Sequence, residues 1–416
     1  MGDTITGRCY SVCRYKVCHF AVLSLSITFQ ELLSKTYIPL IREVDVMTDP
    51  TGDDVPTVLV VVGTRPEIVK LAPVIRNLRR TDALDDALVH TGQHYDDELS
   101  GSFFETLSLP APDVSLDVGS SDQSRQTADA LAGLGDVLRS RDPDVVLAQG
   151  DTNTVLAAAL ATSKHTARFG HVEAGIRSFD RSMPEEVNRV VADRVSDWLF
   201  APTSTAVDNL AAEGLTEGVV ETGNTVVDAC LRHRELAAES SDVLDRFDLA
   251  ADEYVLSTIH RPRNTDDRER LRTIVETLDS APYPVVLPAH PRLQNALDEL
   301  NVEPSGSLRV VDPLDYLDFL ALLTAARLVV TDSGGVQEEA SILEVPCLTV
   351  RPNTERPETV DAGVNELVEP TALGDRLRRL CARDDERREM TGAPTLYGDG
   401  EAARRIVDTL VEELEA

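Results

Sequence analysis

From Val58 onward, short and almost wholly apolar runs alternate with longer stretches in which apolar residues recur at helical spacing. The short runs read as buried strands and the longer stretches as amphipathic helices. The pattern predicts strands at Val58–Val62, Ala87–His90, Val145–Gln149, Arg168–His171 and Trp198–Ala201. A second series is predicted at Tyr254–Thr258, Val285–Pro288, Leu308–Val311, Leu328–Thr331, Cys347–Val350 and Glu366–Val368. Helices fall between them, among them Thr127–Arg139, Glu185–Asp193 and Asp315–Ala325. Such alternation implies parallel sheets joined by right-handed crossovers.

The fold expected is therefore α/β, with two doubly wound Rossmann-like domains facing a cleft. A polar, helix-rich bridge near residues 222–250 divides the two series. The first domain is expected over 55–222 and the second over 223–395. A C-terminal helix within 396–416 is placed to pack back on the first domain. In such sheets ligands bind beyond the carboxyl ends of the strands, so chemistry is to be sought there.

Composition sharpens this picture. A length of 416 residues suits two domains. Aromatics make up only 4%, so the core must be built from Val, Leu, Ile and Ala. The net charge of -32 makes nucleic acid a poor partner, because a phosphate backbone needs cations to neutralise it. Lysine occurs only at 16, 35, 70 and 164, so arginine supplies nearly all the positive charge. An acidic, lysine-poor chain suits a halophilic, salt-loaded cytoplasm, where screening makes self-repulsion tolerable.

Residues 1–46 break the pattern, with Cys9, Cys13, Cys18, Lys16 and Lys35 crowded into a nearly neutral segment. The acidic run from Met47 reads as the natural beginning, and 1–46 as a mis-called or disordered extension. A targeting segment is the rival reading, since Arg8, Arg14 and Lys16 precede the apolar stretch Phe20–Phe29. That stretch is too short to span a membrane and lacks a small-x-small cleavage site. Cys9, Cys13, Cys18 and His19 fit no standard zinc spacing. Cys230, Cys347 and Cys381 are expected to be buried, unpaired thiols.

The candidate chemistry clusters at predicted strand ends. In "VVVGTRPEIVKLAPVI" a strand turns at Gly63 and enters a helix near Pro66, placing Arg65 and Lys70 at the helix start. A cation pair there suits a diphosphate, although a solvated arginine on an ordinary turn is the plainer reading. Lys70 is one of two lysines after Met47, which points to a need for a compact ammonium. "GDT" sets Asp151 after a strand, as proton carrier or as helix cap. "HVEAG" sets Glu173 just past another strand, and "PEEVNR" sets Glu185 in a helix start. Glu186 reads as a partner of the helix dipole and His171 as a packed strand-end residue. "STIHRPRN" offers His260 and Arg261 to an anion. "VTDSGGVQEEA" makes Ser333, Gly334 and Gly335 an anion cradle at a helix start. Glu338 or Glu339, one turn later, suits ribose hydroxyls. "RPNTERPE" adds Arg351 and Arg356 on the positive side. No cluster has metal spacing, and no metal or cofactor is expected.

Taken in order, "GTRPE", "GDT", "HVEAG", "PEE-NR", "TGNTVVDA", "HR", "DP--YL-F", "TDSGG-QEEA" and "TERPE" resemble the non-hydrolysing UDP-N-acetylglucosamine 2-epimerases. The resemblance runs from about Val58 to about Val411. It implies the GT-B-type architecture of many glycosyltransferases, with UDP in the interdomain cleft. It implies that Arg65, Lys70, His260 and Arg356 surround the diphosphate, that Ser333, Gly334 and Gly335 cradle it, and that Glu339 holds the ribose. Uracil contacts map to Leu314, through its backbone, and Phe319. The essential acids map to Asp151, Glu173 and Glu185, with His260 beside them in the catalytic set. Where the family commonly reads "HR-EN", this chain has "HRPRN", with Arg263 in the glutamate's place.

The implied function is reversible epimerisation at C2 of UDP-N-acetylglucosamine, through elimination of UDP to 2-acetamidoglucal and re-addition. The implied setting is a cytoplasmic homodimer serving polysaccharide biosynthesis, with UDP-N-acetylglucosamine and UDP as partners and no membrane or nucleic acid. Alternatives are a 2-epimerase of another UDP-HexNAc, a retaining UDP-sugar glycosyltransferase, a hydrolysing epimerase and a nucleotide-sugar sensor. The full set of acids and cations argues against the last.

Overall fold

The first strand, Thr57–Val62 (β1), reads TVLVVV, and all but its first residue are buried. An uninterrupted apolar run fits a strand covered on both faces. Val58, Val60 and Val62 join one apolar cluster, while Leu59 and Val61 join another on the opposite face. Strand geometry imposes that alternation. The computed structural model describes residues 55–93, 104–119, 121–300, 304–391 and 396–415. The expectations for residues 1–46, for a start at Met47 and for Cys9, Cys13, Cys18 and His19 lie outside the described residues.

Six more strands complete the first sheet: Asp85–His90 (β2), Val114–Ser115 (β3), Val145–Gln149 (β4), Arg168–Val172 (β5), Trp198–Ala201 (β6) and Val219–Glu221 (β7). All are parallel, in the order β3-β2-β1-β4-β5-β6-β7. The second sheet holds Val255–Thr258 (β8), Val285–Pro288 (β9), Leu308–Val311 (β10), Leu328–Thr331 (β11), Cys347–Thr349 (β12) and Asn365–Leu367 (β13). It is also parallel, in the order β10-β9-β8-β11-β12-β13. Both sheets are Rossmann-like. Their strand order reverses between β1 and β4 and again between β8 and β11.

Every predicted strand is present, with ends displaced by at most two residues. β3 and β7 were not predicted. Both lie at sheet edges and span two and three residues, too short for a period to emerge. The helix predicted at Thr127–Arg139 runs over Gln123–Arg141, started earlier by Asp122, whose side chain accepts from the Arg125 backbone. Glu185–Asp193 extends to Pro184–Val195. Asp315 is the cap, not the first residue, of Tyr316–Ala325.

The helix Ala402–Leu414 returns to the first sheet. Its Ala403, Ile406, Val407 and Leu410 are buried in the cluster that holds Val58, Ile75 and Phe200. Asp228, in the helix Thr225–Ser240, accepts the Ala402 and Ala403 backbone N–H groups at 3.3 and 3.0 Å. Cys230, Cys347 and Cys381 are buried free thiols, as expected. No helix among the described residues is long and apolar enough to cross a membrane.

Because Leu410 is fully buried against the first sheet, Leu410→Ala should destabilise the protein by about 2–5 kcal/mol in urea unfolding. A loss below about 1 kcal/mol would show that this helix is not part of that core.

Candidate functional site

The motif-bearing turns sit where both sheets reverse strand order. β1 leads to Gly63, Thr64 and Arg65, and β4 to Gly150 and Asp151. β8 leads to Ile259 and His260, and β11 to Asp332 through Gly335. Flanking strands there send their helices to opposite faces, which opens a crevice at the carboxyl ends.

The glycines differ in what requires them. A β-carbon on Gly63 would collide with the Thr91 and Thr154 hydroxyls, so packing alone demands that glycine. Gly335 has open space within 4 Å, and the nearest atom to a Gly334 β-carbon is Glu355 Oε2 at 3.9 Å. Neither has the positive φ that would call for glycine. Polypeptide packing therefore explains Gly63 but not Gly334 or Gly335. Those two keep the start of helix Gly334–Ile342, capped by Ser333, open to close approach from the cleft.

Two buried carboxylates and two largely buried cations join the two sheets. Lys70 Nζ lies 2.8 Å from Glu173 Oε1 and 3.4 Å from Glu338 Oε2. Arg356 Nε lies 2.6 Å from Glu338 Oε1, and its Nη2 lies 3.6 Å from Glu173 Oε1. Lys70 and Glu173 belong to the first sheet's turns and helices, Glu338 and Arg356 to the second's. Glu173 also accepts from Asn224 Nδ2 at 3.2 Å and from Gln149. Burial alone would raise its pKa; Lys70 and Arg356 outweigh that and pull it down to about 2. Its backbone has a φ of 74°, a left-handed conformation that costs a non-glycine residue of the order of 1 kcal/mol. A cavity lined by Arg177, Phe179, Asn224, Glu338, Arg356 and Tyr397 reaches this ring.

The other acids sit nearby on neighbouring elements. Asp151 follows β4, which pairs with β5, the strand that ends just before Glu173. Asp151 is ion-paired with Arg189, which also donates to Glu186 at 2.7 Å. Glu186 accepts the Ser178 and Phe179 backbone N–H groups at 2.9 and 3.0 Å, so it braces a loop, in line with its structural reading. Glu185 is half-buried, and its carboxylate has no hydrogen-bond or ion-pair partner among the described residues. It lies four positions before Arg189, hence on the helix face turned toward Asp151. His171 is a packed residue: Nδ1 is 2.6 Å from Asp193 and Nε2 is 2.8 Å from the Gly150 carbonyl.

His260 presents a half-exposed imidazole whose Nδ1 lies 2.8 Å from Asp332. Asp332 is buried and also accepts the His260 and Arg261 backbone N–H groups at 3.0 Å each. That carboxylate fixes the ring and leaves Nε2 available. Arg263 is exposed, whereas Asn264 is buried and donates to Asp332 at 2.9 Å. The departure at 263 thus points to solvent, and the loop is held through Asn264. At the far end Glu339 accepts from the Tyr316 hydroxyl at 3.1 Å, and burial pushes its pKa up to about 7. Leu314 and Phe319 are half-buried beside Tyr316 in the apolar cluster below. Arg65 is exposed at the first position of its helix.

One expectation changes. Arg351 does not complete the positive side of the cleft. It is buried with Nη1 2.7 Å from Glu355, which also holds Arg261 at 3.1 Å. Sequence reasoning missed Asp332, Asn224 and Arg189, and only the family resemblance, not the residues themselves, chose Glu339 over Glu338 for the ribose. Asp332 had a signal, an acid between a strand and a Ser-Gly-Gly turn. Arg189 was visible only as part of "PEE-NR". Among the described residues no group of three or more His, Cys, Asp or Glu side chains is arranged to hold a metal ion.

Comparison with known proteins bears on the family and the fold. Residues 76–411 match the model of the UDP-N-acetylglucosamine 2-epimerase family. A UDP-N-acetylglucosamine 2-epimerase of Methanocaldococcus jannaschii is 44% identical over 363 residues, covering 84% of this chain and 98% of that protein. A UDP-2,3-diacetamido-2,3-dideoxy-D-glucuronate 2-epimerase of Pseudomonas aeruginosa is 39% identical, covering 85% and 99%. The crystal structure of the M. jannaschii enzyme with UDP-GlcNAc and UDP has a TM-score of 0.76 at 42% identity, covering 86% of this chain and 99% of that one. The Neisseria meningitidis UDP-GlcNAc 2-epimerase bound to UDP-GlcNAc has a TM-score of 0.79 at 31% identity, covering 86% and 100%. The fold is that GT-B-like architecture.

Two outcomes follow from the ring. Glu338→Ala would leave Lys70 and Arg356 short of a buried counter-ion and should cost about 3–5 kcal/mol in chemical unfolding; a change under about 1 kcal/mol would count against the ring as a structural tie. Because Glu173 has a depressed pKa, its contribution is present above its ordinary value of 4.5 and lost as pH falls toward about 2. Unfolding free energy should therefore fall over that window in the wild type and fall less in Glu173→Gln; parallel curves would contradict the assignment.

Proposed function

Because the chain belongs to the UDP-N-acetylglucosamine 2-epimerase family, a family of isomerases, we propose that it interconverts UDP-N-acetylglucosamine and UDP-N-acetylmannosamine. The observation that carries this reading is the buried ring of Lys70, Glu173, Glu338 and Arg356. It sets two cations suited to a departing diphosphate against a carboxylate suited to a sugar proton.

The chemistry explains the pairing. C2 of N-acetylglucosamine bears an amide nitrogen and no adjacent carbonyl, so its proton is too weakly acidic for simple removal and return. In the proposed route a carboxylate takes the C2 proton as the C1–O bond breaks. The C–H electron pair becomes the C1=C2 bond, and the C1–O pair departs on UDP. Re-addition delivers a proton to the other face of C2 while UDP returns to C1. Arg65, Lys70, His260 and Arg356, with the helix start at Gly334 and Gly335, would stabilise the leaving diphosphate. Asp151, Glu173 and Glu185 would share the proton transfers. Leu314 and Phe319 would seat the uracil and Glu339 the ribose.

The ring also suggests how substrate activates its own base. With pKa near 2, Glu173 is a feeble proton acceptor while Lys70 and Arg356 neutralise it. A diphosphate that draws both cations away removes that restraint and raises Glu173 toward basicity. Proton removal is thus favoured only when the leaving group is in place.

The P. aeruginosa relative gives one specific reason to test a diacetamido-uronate in parallel. In heavy water, UDP-N-acetylglucosamine should yield UDP-N-acetylmannosamine by proton NMR, with deuterium at C2 and no accumulating UDP. Free N-acetylmannosamine and UDP would instead mean hydrolysis. Asp151→Asn and Glu173→Gln should each lower turnover by about 10²-fold or more while still binding UDP. Near-normal turnover in either would remove that residue from the proton-transfer set.

A further inference from the structure

Glu67 lies in the first turn of the helix Arg65–Leu78, two positions after Arg65 and three before Lys70, and is 2% exposed. Its Oε2 accepts the Gly63 and Thr64 backbone N–H groups, each at 2.7 Å, and the Thr64 hydroxyl at 3.1 Å. Its Oε1 accepts the hydroxyl of Thr152. The first three bonds cap its own helix. The fourth crosses to another element. Thr152 follows Asp151 and is the N-cap of the helix Asn153–Thr162.

We propose that Glu67 is a positioning residue that locks the turn carrying Arg65 to the turn carrying Asp151, so that the diphosphate-facing cation and the proton-transferring carboxylate keep one spacing. The role assigned to these two residues rests on the epimerase reading above. β1 and β4 are adjacent strands at the switch point, and their turns diverge to helices on opposite faces. Backbone pairing ends with the strands. A side chain anchored on one turn and gripping the other supplies the tie beyond them. No donor to Glu67 among the described residues is charged, and burial pushes its pKa up to about 7. The tie is therefore a hydrogen-bonded bracket and not an ion pair. A glutamine can keep it: its oxygen accepts the helix-cap donors and its amide donates to the Thr152 hydroxyl.

The test uses Thr152→Val, which cuts the crossing bond together with the Thr152 cap on the Val155 N–H, Thr152→Ser, which keeps both, and Glu67→Gln. Amide hydrogen exchange on the full chain is read first, because it needs no substrate. Thr152→Val should speed exchange at Gly63 and Thr64, in the other turn, by about ten-fold or more, and Thr152→Ser should not. In turnover, Thr152→Val should lose about 10–10²-fold in kcat with UDP Kd changed less than about three-fold. Thr152→Ser and Glu67→Gln should stay within about three-fold of wild-type kcat near neutrality, with Glu67→Gln losing any pH dependence centred near 7. Unchanged exchange at Gly63 and Thr64 in Thr152→Val overturns the tie. Faster exchange there with unchanged kcat overturns its catalytic relevance. If the wild type shows no C2 exchange, the epimerase reading fails, while the exchange comparison still decides whether the turns are coupled.

Discussion

The arrangement of the cleft depends on one electrostatic constraint: four largely buried charges, two from each sheet, neutralise one another across it. Each side carries its own tight pair, Lys70 with Glu173 at 2.8 Å and Arg356 with Glu338 at 2.6 Å. The cross-contacts are longer, at 3.4 and 3.6 Å. Two neutral pairs brought together head to tail attract without burying net charge, which keeps the desolvation penalty bearable. A diphosphate offers the same two cations more negative charge than either carboxylate. In the proposed reaction its entry would rearrange the ring and raise the basicity of Glu173.

The topology puts these charges where they can meet. Each sheet reverses its strand order once, and the turns at those two points carry nearly all the polar chemistry. Glu173 and Arg356 come one strand further out, after β5 and β12, and reach back toward the crevice. The strained backbone at Glu173 is the local cost of aiming its carboxylate over Gly150, where a β-carbon would lie 3.8 Å from Oε2.

Much of this was legible in the chain. β1 was plain because both its faces are buried and its letters are uniformly apolar; β3 and β7 were invisible because two or three residues carry no period. Glycine-rich turns and acids after strands marked the crevice, since the requirement for open backbone is written in the residue type itself. Division of labour between neighbours was not legible from pattern and spacing alone. Glu338 and Glu339 are adjacent, yet successive helix positions point about 100° apart. One meets Lys70 and Arg356, the other Tyr316. Arg351 read as a cleft cation by proximity, but Glu355, four residues on, claims it. Such outcomes depend on which side chain from a distant segment arrives opposite.

The buried carboxylates separate by the company they keep. Glu173, against two cations, is held near 2, whereas Glu67 and Glu339, hydrogen-bonded by hydroxyl and, for Glu67, backbone donors, sit near 7. In a chain with a net charge of -32, cations are few, and two of them stand against Glu173, the carboxylate that the proposed leaving diphosphate would free. Lys70 suits that exchange better than another arginine would. Its ammonium is a compact point charge that can pass from carboxylate to phosphate by rotation of a flexible stem, whereas a guanidinium fork must re-form paired, planar contacts. Arg356, held through Nε to Glu338 and 3.6 Å from Glu173, restrains that carboxylate less directly than Lys70 does at 2.8 Å.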